Sequence, residues 1–342
     1  MSATVVLVTG VAGDFGQALV KALRFGEGAP VVHGCDLEAG SIGAAFVASF
    51  HVVPRADDPG YLSALDALCR SLEAAAVIPG SEAEIFRLSR LGSPPRLPGG
   101  APVVCQEGAW IDTYGDKLRC MQALAGRVEL APFADGADRP AVDALVAEAA
   151  FPLVVKERWS SGSRSLRVAA DRAALETHLA EAKEPLVQAF IDDEDGEFSL
   201  GIFATPARVD AIAFRRRLGP SIGCTWYAEW SDDAAVLAYG VAVARASGAR
   251  GSVNVQVRKG RAGVRLLEIN PRFSSLAAAR SACGFPDVRW ALDAALGRPL
   301  LAVPPPQRSL RFQRYFAELI DVGSGFERVP AWDPRLPRRP AP

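Results

Sequence analysis

The chain has 342 residues, and its 38 basic and 39 acidic side chains leave a formal net charge of −1. A chain of this length suits two or three fused domains, at roughly 100–200 residues each. Balanced charge gives no global field that would attract nucleic acid or an anionic membrane, and no apolar run reaches the roughly 18 residues needed to span a bilayer. We therefore expect no nucleic-acid or membrane partner, and ligand recognition has to be local.

Cysteine and histidine are too scattered for the chemistry that they most often perform. The six cysteines include no CxxC pair, a pattern typical of a reduced cytoplasmic protein rather than of a disulfide framework or a zinc site. None of the three histidines, His33, His51 and His178, is near another, which disfavours histidine metal sites and a Ser-His-Asp triad. The first residues, MSATVVLVTG, lack a basic segment and predict a strand rather than a signal peptide. Catalytic groups are therefore expected among lysine, arginine, glutamate, asparagine and the backbone.

From residue 4 to about residue 90, short apolar runs alternate with amphipathic segments. The runs TVVLVTG, PVVHGCD, AFVASFHVVP and AAAVIPG predict strands, and FGQALVKALRFG, GYLSALDALCRSLE and EAEIFRLSRLG predict helices. Such alternation indicates a parallel sheet covered by helices, which is an α/β domain.

From about residue 151 the pattern becomes typical of an α+β segment with antiparallel sheets. FPLVVKERW and SLRVAA predict strands around a serine- and glycine-rich loop, EFSLGIFAT and RVDAIAFRRR predict an antiparallel pair, and VLAYGVAVARASGA predicts a helix. GSVNVQVRKGRAGVRLLEINPRF predicts a β-hairpin with RKGRAG as its turn. The last residues, RVPAWDPRLPRRPAP, predict a loosely packed or disordered tail.

A glycine turn follows the first strand. VTGVAGDFG places Gly10, Gly13 and Gly16 between a strand and a helix, and Asp36 ends the next strand. This is the layout of a dinucleotide fingerprint, in which glycines allow close backbone approach and the acid holds a ribose. Many strand-to-helix turns need the same glycines, and no Tyr-x-x-x-Lys pair follows to support hydride transfer. Two interpretations stay open: a structural turn or substrate-side loop, or the cofactor site of an NAD(P)-dependent oxidoreductase.

Three short stretches are candidates for binding a nucleotide. Lys156 ends the apolar run PLVV and precedes SSGSR at residues 160–164, a loop that can offer N–H groups and hydroxyls to phosphate. Lys117 lies at a predicted helix start, and LVQAFIDDEDGEFSL offers strand backbone after Gln188 for a purine edge and Glu197 for ribose hydroxyls. The alternatives are a solvated hairpin turn, a surface lysine and a hairpin with an acidic loop.

The predicted hairpin places oxygen-bearing side chains opposite each other. Because side chains alternate along a strand, Glu268 and Asn270 are expected on one face, and the short turn can bring Gln256 opposite them. Carboxylate and amide oxygens suit Mg²⁺, which bridges nucleotide phosphates with only one or two carboxylates. Arg272, two residues beyond Asn270, is placed to neutralise a developing phosphate charge. The alternative is a solvated strand end.

The order and spacing of these motifs resemble the ATP-grasp superfamily, in particular the branch with the synthetase halves of carbamoyl-phosphate synthetase and the pyrrolysine-pathway ligase. The matching motifs are DK at 116–117, PLVVKERWSSGSRSL at 152–166, LVQAFIDDEDGEFSL at 186–200, and NVQV with LLEINPRFSS at 254–275. VIPGSEAEIFRLSR at 77–90 looks like the end of this branch's preATP-grasp domain, so the resemblance covers about residues 4–300.

The resemblance implies a fold that is α/β and α+β: an ATP-grasp fold with an N-terminal Rossmann-like preATP-grasp domain. It also implies a division into four parts. These are the preATP-grasp domain at 1–108, the small lid subdomain and linker at 109–185, the C-terminal subdomain at 186–328 and the Pro/Arg-rich tail at 329–342.

The resemblance implies ADP-forming ligation, in which ATP phosphorylates a carboxylate and an amine attacks the acyl phosphate. Gln188 would lie near the adenine amino group, the strand backbone after it would pair with adenine, and Glu197 would hold the ribose. The implied nucleotide-binding set is Lys117, Lys156, Ser161, Gly162, Ser163, Gln188, Ala189, Phe190, Ile191 and Glu197.

The resemblance also implies the metal and the catalytic residues. Gln256, Glu268 and Asn270 would ligate Mg²⁺, with Mn²⁺ able to replace it, and many relatives have an acid where this chain has Gln256. The implied catalytic residues are Arg272 at the transferring phosphoryl, Lys156, and Arg215, which follows a predicted strand together with Arg216 and Arg217. These three arginines are candidates for holding a substrate carboxylate or phosphate, the alternative being an exposed basic strand end.

The expected function is thus an ATP-dependent ligase that joins a small-molecule carboxylate, an amino acid in the leading hypothesis, to an amine. The alternatives are the oxidoreductase described above and a non-catalytic nucleotide-binding protein. Specificity is expected from loops that include residues 81–84, 215–226 and 274–280, but the sequence identifies neither substrate. The oligomeric state is open, and a homodimer is favoured by base rate alone.

Overall fold

We describe the protein from a computed structural model. The structure describes residues 3–160, 165–192, 195–219, 225–300, 310–315, 319–321 and 326–328. No helix in these ranges is long and apolar enough to cross a membrane. The tail predicted for residues 329–342 lies outside them.

The N-terminal part is a four-stranded parallel sheet with strand order β3-β2-β1-β4, as the alternating pattern predicted. Apolar side chains on both faces of these strands are buried under the helices, which is usual for parallel sheets. Its strands are β1 (Val5–Thr9), β2 (Val31–Asp36), β3 (Phe50–Val52) and β4 (Ala76–Ile78), and its helices are α1 (Asp14–Leu23), a 3₁₀ helix (Ile42–Phe46), α2 (Tyr61–Ser71) and α3 (Glu82–Leu88).

The parallel pairing of β2 with β3 corrects the expectation that no two histidines lie near each other. Gly34 pairs with Phe50, so His33 and His51 come to neighbouring strands, where both ring systems contact the hydroxyl of Ser49. Their separation along the sequence concealed this proximity.

The second sheet is antiparallel, with strand order β5-β8-β6-β7. Two predicted domain boundaries cut elements here: the one at 108/109 falls inside α4, and the one at 185/186 falls inside β8. The division into four parts stays a prediction. The elements of this region are α4 (Gly108–Tyr114), α5 (Lys117–Leu124), β5 (Phe133–Asp135), α6 (Arg139–Ala149), β6 (Leu153–Glu157), β7 (Arg167–Ala169), α7 (Arg172–Glu181) and β8 (Pro185–Ala189).

The third sheet is antiparallel and has strand order β13-β12-β9-β10-β11-β14. Its β12–β13 hairpin and its β9–β10 pair confirm the predicted ones. Its strands and the elements around it are β9 (Gly196–Ala204), β10 (Val209–Leu218), β11 (Thr225–Ser231), α8 (Ala234–Ser247), β12 (Gly251–Gly260), β13 (Gly263–Asn270), α9 (Ala277–Ala282), α10 (Asp287–Ala295) and β14 (Arg311–Gln313), followed by a separate pair, β15 (Leu319–Asp321) and β16 (Phe326–Arg328).

The two faces of the third sheet differ. Val253, Val255 and Leu200 belong to a core shared with α8 and α5, whereas Phe214 and Ile212 on the other face pack into a core with α9, α10 and the first sheet. Towards one end that second face becomes polar, and this polar end adjoins the second sheet. It is where the candidate site lies.

Candidate active site

The hairpin of β12 and β13 brings the predicted oxygen-bearing side chains together. Gln256 pairs with Glu268 and Asn254 pairs with Asn270, so both strands direct polar side chains to the same face. The Asn270 amide donates from Nδ2 to Glu268 Oε1 at 3.0 Å. The proximity predicted from the alternation in LLEIN is therefore present.

Lys117 reaches Glu268 from a different part of the fold. Its Nζ lies 3.3 Å from Glu268 Oε2 and donates to the Ser160 carbonyl at 2.6 Å. Burial alone would raise the pKa of Glu268, but the positive charge of Lys117, the Asn270 hydrogen bond and Lys156 outweigh it and lower that pKa. Glu268 is therefore held as a carboxylate.

Asp116 explains why Lys117 occupies this position. As the N-cap of α5, it accepts from the backbone N–H groups of Leu118 and Arg119 at 3.0 and 3.2 Å. The Arg158 Nε donates to the same carboxylate at 3.0 Å, which fixes the helix start against the segment after β6. The pair DK is thus a helix cap followed by a lysine that the cap orients.

Lys156 is buried at the end of β6 and connects two sheets. Its Nζ donates to Gln188 Oε1 at 2.9 Å and to the Leu267 carbonyl at 2.8 Å. Burial lowers the pKa of Lys156 to about 8, because the attraction of Glu268 offsets the loss of hydration only in part. Gln188, predicted near an adenine amino group, is itself buried, and its Nε2 lies 3.4 Å from the Leu266 carbonyl.

A narrow cavity of about 170 Å³, here called the inner cleft, lies between the second and third sheets. Its lining combines apolar side chains with the cations of Lys117, Lys156, Arg216 and Arg258. A slot lined by both apolar and cationic side chains suits a purine nucleotide. The apolar side chains are those of Val154, Leu166, Val168, Phe190, Ile191 and Leu267.

Part of the predicted adenine-pairing backbone is already engaged. The Ala189 N–H donates to the Pro132 carbonyl at 2.8 Å, and the Ile191 carbonyl accepts from Arg258 Nη1 at 3.2 Å. Pairing of Ala189 and Ile191 with a purine stays a prediction, restricted to the backbone atoms that these bonds leave free.

Two arginines occupy the cleft side of the third sheet. Glu197, predicted to hold ribose, accepts from Arg216 and, at 3.1 Å, from Arg258 Nη2. Arg216 Nη2 also donates to Gln256 Oε1 at 2.7 Å, so the amide oxygen predicted to ligate a metal serves an arginine instead. The Gln256 amide oxygen on β12 lies close to the Arg216 guanidinium on β10 because both strands flank β9.

Arg215 differs from the sequence-based expectation. β10 continues through Leu218, because it pairs with both β9 and β11, so the three arginines lie within the strand rather than after it. Alternation then exposes Arg215 on the opposite face, near Gly196, and places Arg216 in the inner cleft. The structure thus places Arg216, and not Arg215, in the lining of the inner cleft.

A larger cavity of about 530 Å³, here called the outer cavity, adjoins the inner cleft. Lys117, Ser160 and Glu268 line both, so the two spaces meet at the Lys117–Glu268 pair. The far wall comes from α3 of the first domain and from the segment after β6. It includes Glu82, Ile85, Phe86 and Trp159, the two aromatic rings packing edge to face at 5.3 Å.

Arg272 lies in the outer cavity beside an acid of the first domain. Its Nε donates to Glu82 Oε1 at 2.8 Å, its Nη1 donates to the Phe273 carbonyl at 3.1 Å, and its guanidinium lies 3.9 Å from the Phe15 ring centroid. Glu82 belongs to the segment 81–84 that we expected to contribute to specificity. Trp159 and Arg258 were missed, because a tryptophan after a strand and an arginine in a hairpin have no distinctive pattern.

Comparisons with known proteins identify solved structures with a similar fold. The structure resembles N5-carboxyaminoimidazole ribonucleotide synthetase from Thermus thermophilus (16% identity, 88% of this chain and 81% of that one, TM-score 0.69). It also resembles the biotin carboxylase domain of 2-oxoglutarate carboxylase from Hydrogenobacter thermophilus, solved as a dimer with MgADP, ADP and bicarbonate (16% identity, 87% of this chain and 70% of that one, TM-score 0.68). A third similar structure is L-amino acid ligase from Bacillus licheniformis (15% identity, 86% of this chain and 74% of that one, TM-score 0.65). Residues 181–316 match a family described as ATP-grasp in the biosynthetic pathway with Ter operon.

The chain has the ATP-grasp fold. The fold predicted from the motifs is confirmed, as is the combination of α/β and α+β architecture. No curated protein matches the sequence.

The glycine turn of this ATP-grasp chain is used by the fold itself. Asp36 accepts from the Ala12 N–H at 2.7 Å and the Leu37 N–H at 2.8 Å, so both carboxylate oxygens are engaged. A Cβ at position 16 would overlap the Gly10 carbonyl, which explains the glycine there. Of the two interpretations, these contacts favour the structural turn.

The metal site expected of an ATP-grasp chain has few donors. The described residues contain no cluster of three or more His, Cys, Asp or Glu side chains able to hold a metal ion. Glu268 and the Asn270 amide fit a magnesium ion that takes its remaining oxygens from nucleotide phosphates and water. Ser161, Gly162 and Ser163, predicted to bind phosphate, lie outside the described residues.

Proposed function

We propose that this protein is an ATP-dependent, ADP-forming ligase that joins a small-molecule carboxylate to an amine through an acyl phosphate. The observation that supports it best is the meeting of the inner cleft and the outer cavity at the Lys117–Glu268 pair. A nucleotide in the first would present its terminal phosphate to a substrate in the second. L-amino acid ligase and N5-carboxyaminoimidazole ribonucleotide synthetase share the fold.

The proposed nucleotide position follows the residues that line the inner cleft. Adenine would lie against Phe190 and the backbone of residues 189–191, and the phosphates would lie at Lys156 and Lys117. For Glu197 to hold ribose hydroxyls, it would have to share its oxygens with Arg216 and Arg258, which already donate to it.

Glu268 and Asn270 would hold Mg²⁺, or Mn²⁺ in its place, with Gln256 joining them only if Arg216 releases its oxygen. Bound there, the ion would neutralise charge on the β- and γ-phosphates and align them for transfer. Lys117 keeps Glu268 ionised, which a hard cation requires of its ligand.

In the first step an oxygen of the substrate carboxylate attacks the γ-phosphorus, and the bond to the β-phosphate oxygen breaks to give ADP and an acyl phosphate. In the second, the amine nitrogen attacks the acyl carbon, inorganic phosphate leaves with its bridging oxygen, and the nitrogen loses a proton. Arg272 retains Nη2 for a phosphoryl oxygen, since its bonds to described residues use Nε and Nη1. The chain would contribute positioning and charge rather than a histidine acid.

An amino acid is the substrate class that the outer cavity favours. Arg272 and Glu82 place a positive and a negative charge side by side, 2.8 Å apart, and this arrangement complements the carboxylate and ammonium of a zwitterion. Phe86 and Trp159 on the far wall would then contact the side chain.

An ADP-release screen over amino acids paired with amines tests the proposal. We expect ADP to form only when both a carboxylate and an amine are present, with product mass equal to the two substrates minus water. ATP hydrolysis that no carboxylate stimulates, across the whole panel, would contradict ligation. A sedimentation run on the same sample tests the homodimer expected from base rate.

A further inference from the structure

A third cavity, of about 630 Å³, lies in the N-terminal domain and is here called the sheet-edge cavity. Its wall includes residues that follow or end all four parallel strands: Gly10 after β1, Asp36 at the end of β2, Val53 after β3 and Ser81 after β4. In open α/β sheets, ligands bind outside the carboxyl ends of the strands, where the connections diverge to opposite sides. The strand order places that divergence at β1, next to Gly10.

The acids of the sheet-edge cavity are occupied by the fold. Asp36 accepts the two backbone N–H groups described above. Glu84 is buried and accepts from three hydroxyl groups, those of Thr9 at 2.7 Å, Ser81 at 2.7 Å and Tyr61 at 3.0 Å. Neither acid has an oxygen left without a hydrogen-bond donor, so neither is available to a cationic ligand.

The three arginines of the cavity differ from one another. Arg55 donates to Asp57 at 3.1 Å, and Arg90 donates to both oxygens of Asp112 at 2.8 and 3.1 Å. Arg87, on the last turn of α3, has no hydrogen bond or ion pair with any residue that the structure describes, although it is half-buried. None of its nitrogens is buried without a partner, so its donors are open to solvent and to a ligand.

We propose that the sheet-edge cavity binds an oxyanion, the carboxylate or phosphate of a small ligand, with Arg87 as its charged partner. The guanidinium offers a planar pair of donors that matches either group. Leu37, Val53 and Phe86 provide an apolar surface for the rest of the ligand. Phe86 also lines the outer cavity, so a ligand bound here is a neighbour of the proposed acceptor site.

Binding of two simple probes tests the site without any turnover. Inorganic phosphate is followed by ³¹P line width and succinate by saturation-transfer NMR, with a non-hydrolysable ATP analogue and Mg²⁺ present to fill the inner cleft. We expect saturable binding, weakened at least about tenfold in Arg87→Gln and less in Arg87→Lys, because a hydrogen bond to a charged group contributes about 1.5–3 kcal/mol.

Arg55→Gln is the matched control, since Arg55 lines the same cavity but is already neutralised by Asp57. We expect its affinity for both probes to stay within about twofold of the wild type. Equal affinity in Arg87→Gln and the wild type, with both proteins folded by circular dichroism, overturns the site. So does an absence of saturable binding in the wild type.

The source of the anion follows from a second measurement. If Arg87→Gln raises KM for a carboxylate substrate about tenfold at unchanged kcat, the oxyanion belongs to that substrate. If the affinity for the probes falls and KM for the carboxylate substrate does not change, the oxyanion belongs to a separate ligand. Both outcomes support the site, and binding that depends on Arg87 in a protein that releases no ADP would separate this inference from the proposed ligase activity.

Discussion

Two acids, the buried Glu84 on α3 and the half-buried Glu268 near the end of β13, have opposite surroundings. Glu84 receives three neutral hydroxyl groups from its own domain, and burial raises its pKa against those hydrogen bonds. Glu268 lies beside Lys117 from another domain, and its pKa is lowered although burial acts the other way. The hydrogen bonds of Glu84 stabilise the fold, whereas Glu268 is held ionised where the inner cleft and the outer cavity meet. The partners of an acid therefore distinguish its role better than its burial does.

Replacing Glu268 by glutamine should have the largest effect on catalysis. We expect ADP release to fall about 1,000-fold or more, because the only carboxylate of the proposed metal site is lost and Lys117 becomes unpaired. A coupled ADP assay at saturating ATP and Mg²⁺ measures the change. ADP release within tenfold of the wild type would show that Glu268 is not a metal ligand.

Replacing Glu84 by alanine should have its main effect on stability. Three buried hydroxyl groups lose their acceptor, which should lower the free energy of unfolding by about 2–4 kcal/mol in urea titrations. ADP release per folded molecule should stay within a few-fold of the wild type. If the variant instead keeps its stability and loses turnover, Glu84 has a role in catalysis, as we propose for Glu268.

Replacing Glu82 by glutamine sharpens the comparison at the outer cavity. We expect KM for the amino-acid substrate to rise about tenfold with a smaller change in kcat, because a charged partner for the ammonium becomes neutral. Glu107→Gln is the control, an exposed acid at the start of α4 that makes no capping hydrogen bond. Equal KM values in both variants would exclude an ammonium site at Glu82.

The pH dependence of ATP binding should show the smallest effect. The pKa of Lys156 is lowered to about 8, so its ammonium is charged below that pH and loses its proton above it. We expect KM for ATP to rise a few-fold between about pH 8 and pH 9 in the wild type. In Lys156→Arg, whose guanidinium stays charged, this rise should disappear. A flat profile in the wild type would show that Lys156 does not bind phosphate.

Local alternation was enough to predict much of the candidate site. Glu268 and Asn270 lie two residues apart in LLEIN, so their common face followed without any tertiary information. The register shift in the hairpin was not predictable: Leu266 and Ile269 lie in the core, whereas Leu267 lines the inner cleft. The same rule could not separate Arg215 from Arg216, because the face of each arginine depends on where β10 begins to alternate and where it ends. That is fixed by the pairing of Arg216 with Glu197, and a shift of one residue exchanges the two faces.

The fold was predictable where periodicity is long, and the outer cavity was not. The alternating strands and helices of residues 4–90 and the hairpin of β12 and β13 have patterns that extend over many residues. Glu82, Trp159 and Arg272 come from three separate segments, and their contact depends on how domains dock. No pattern within one segment encodes that docking, so the sequence indicated segment 81–84 but not which acid faces Arg272.

The contacts of Lys117 limit what its ammonium group can bind next. An ammonium has three N–H bonds. Among the described residues, Lys117 donates one of them to the Ser160 carbonyl and forms an ion pair with Glu268, whose Oε2 lies 3.3 Å from Nζ. Lys117 therefore keeps donor capacity, beyond its contacts with the described residues, for a phosphoryl oxygen at the meeting point of the two cavities.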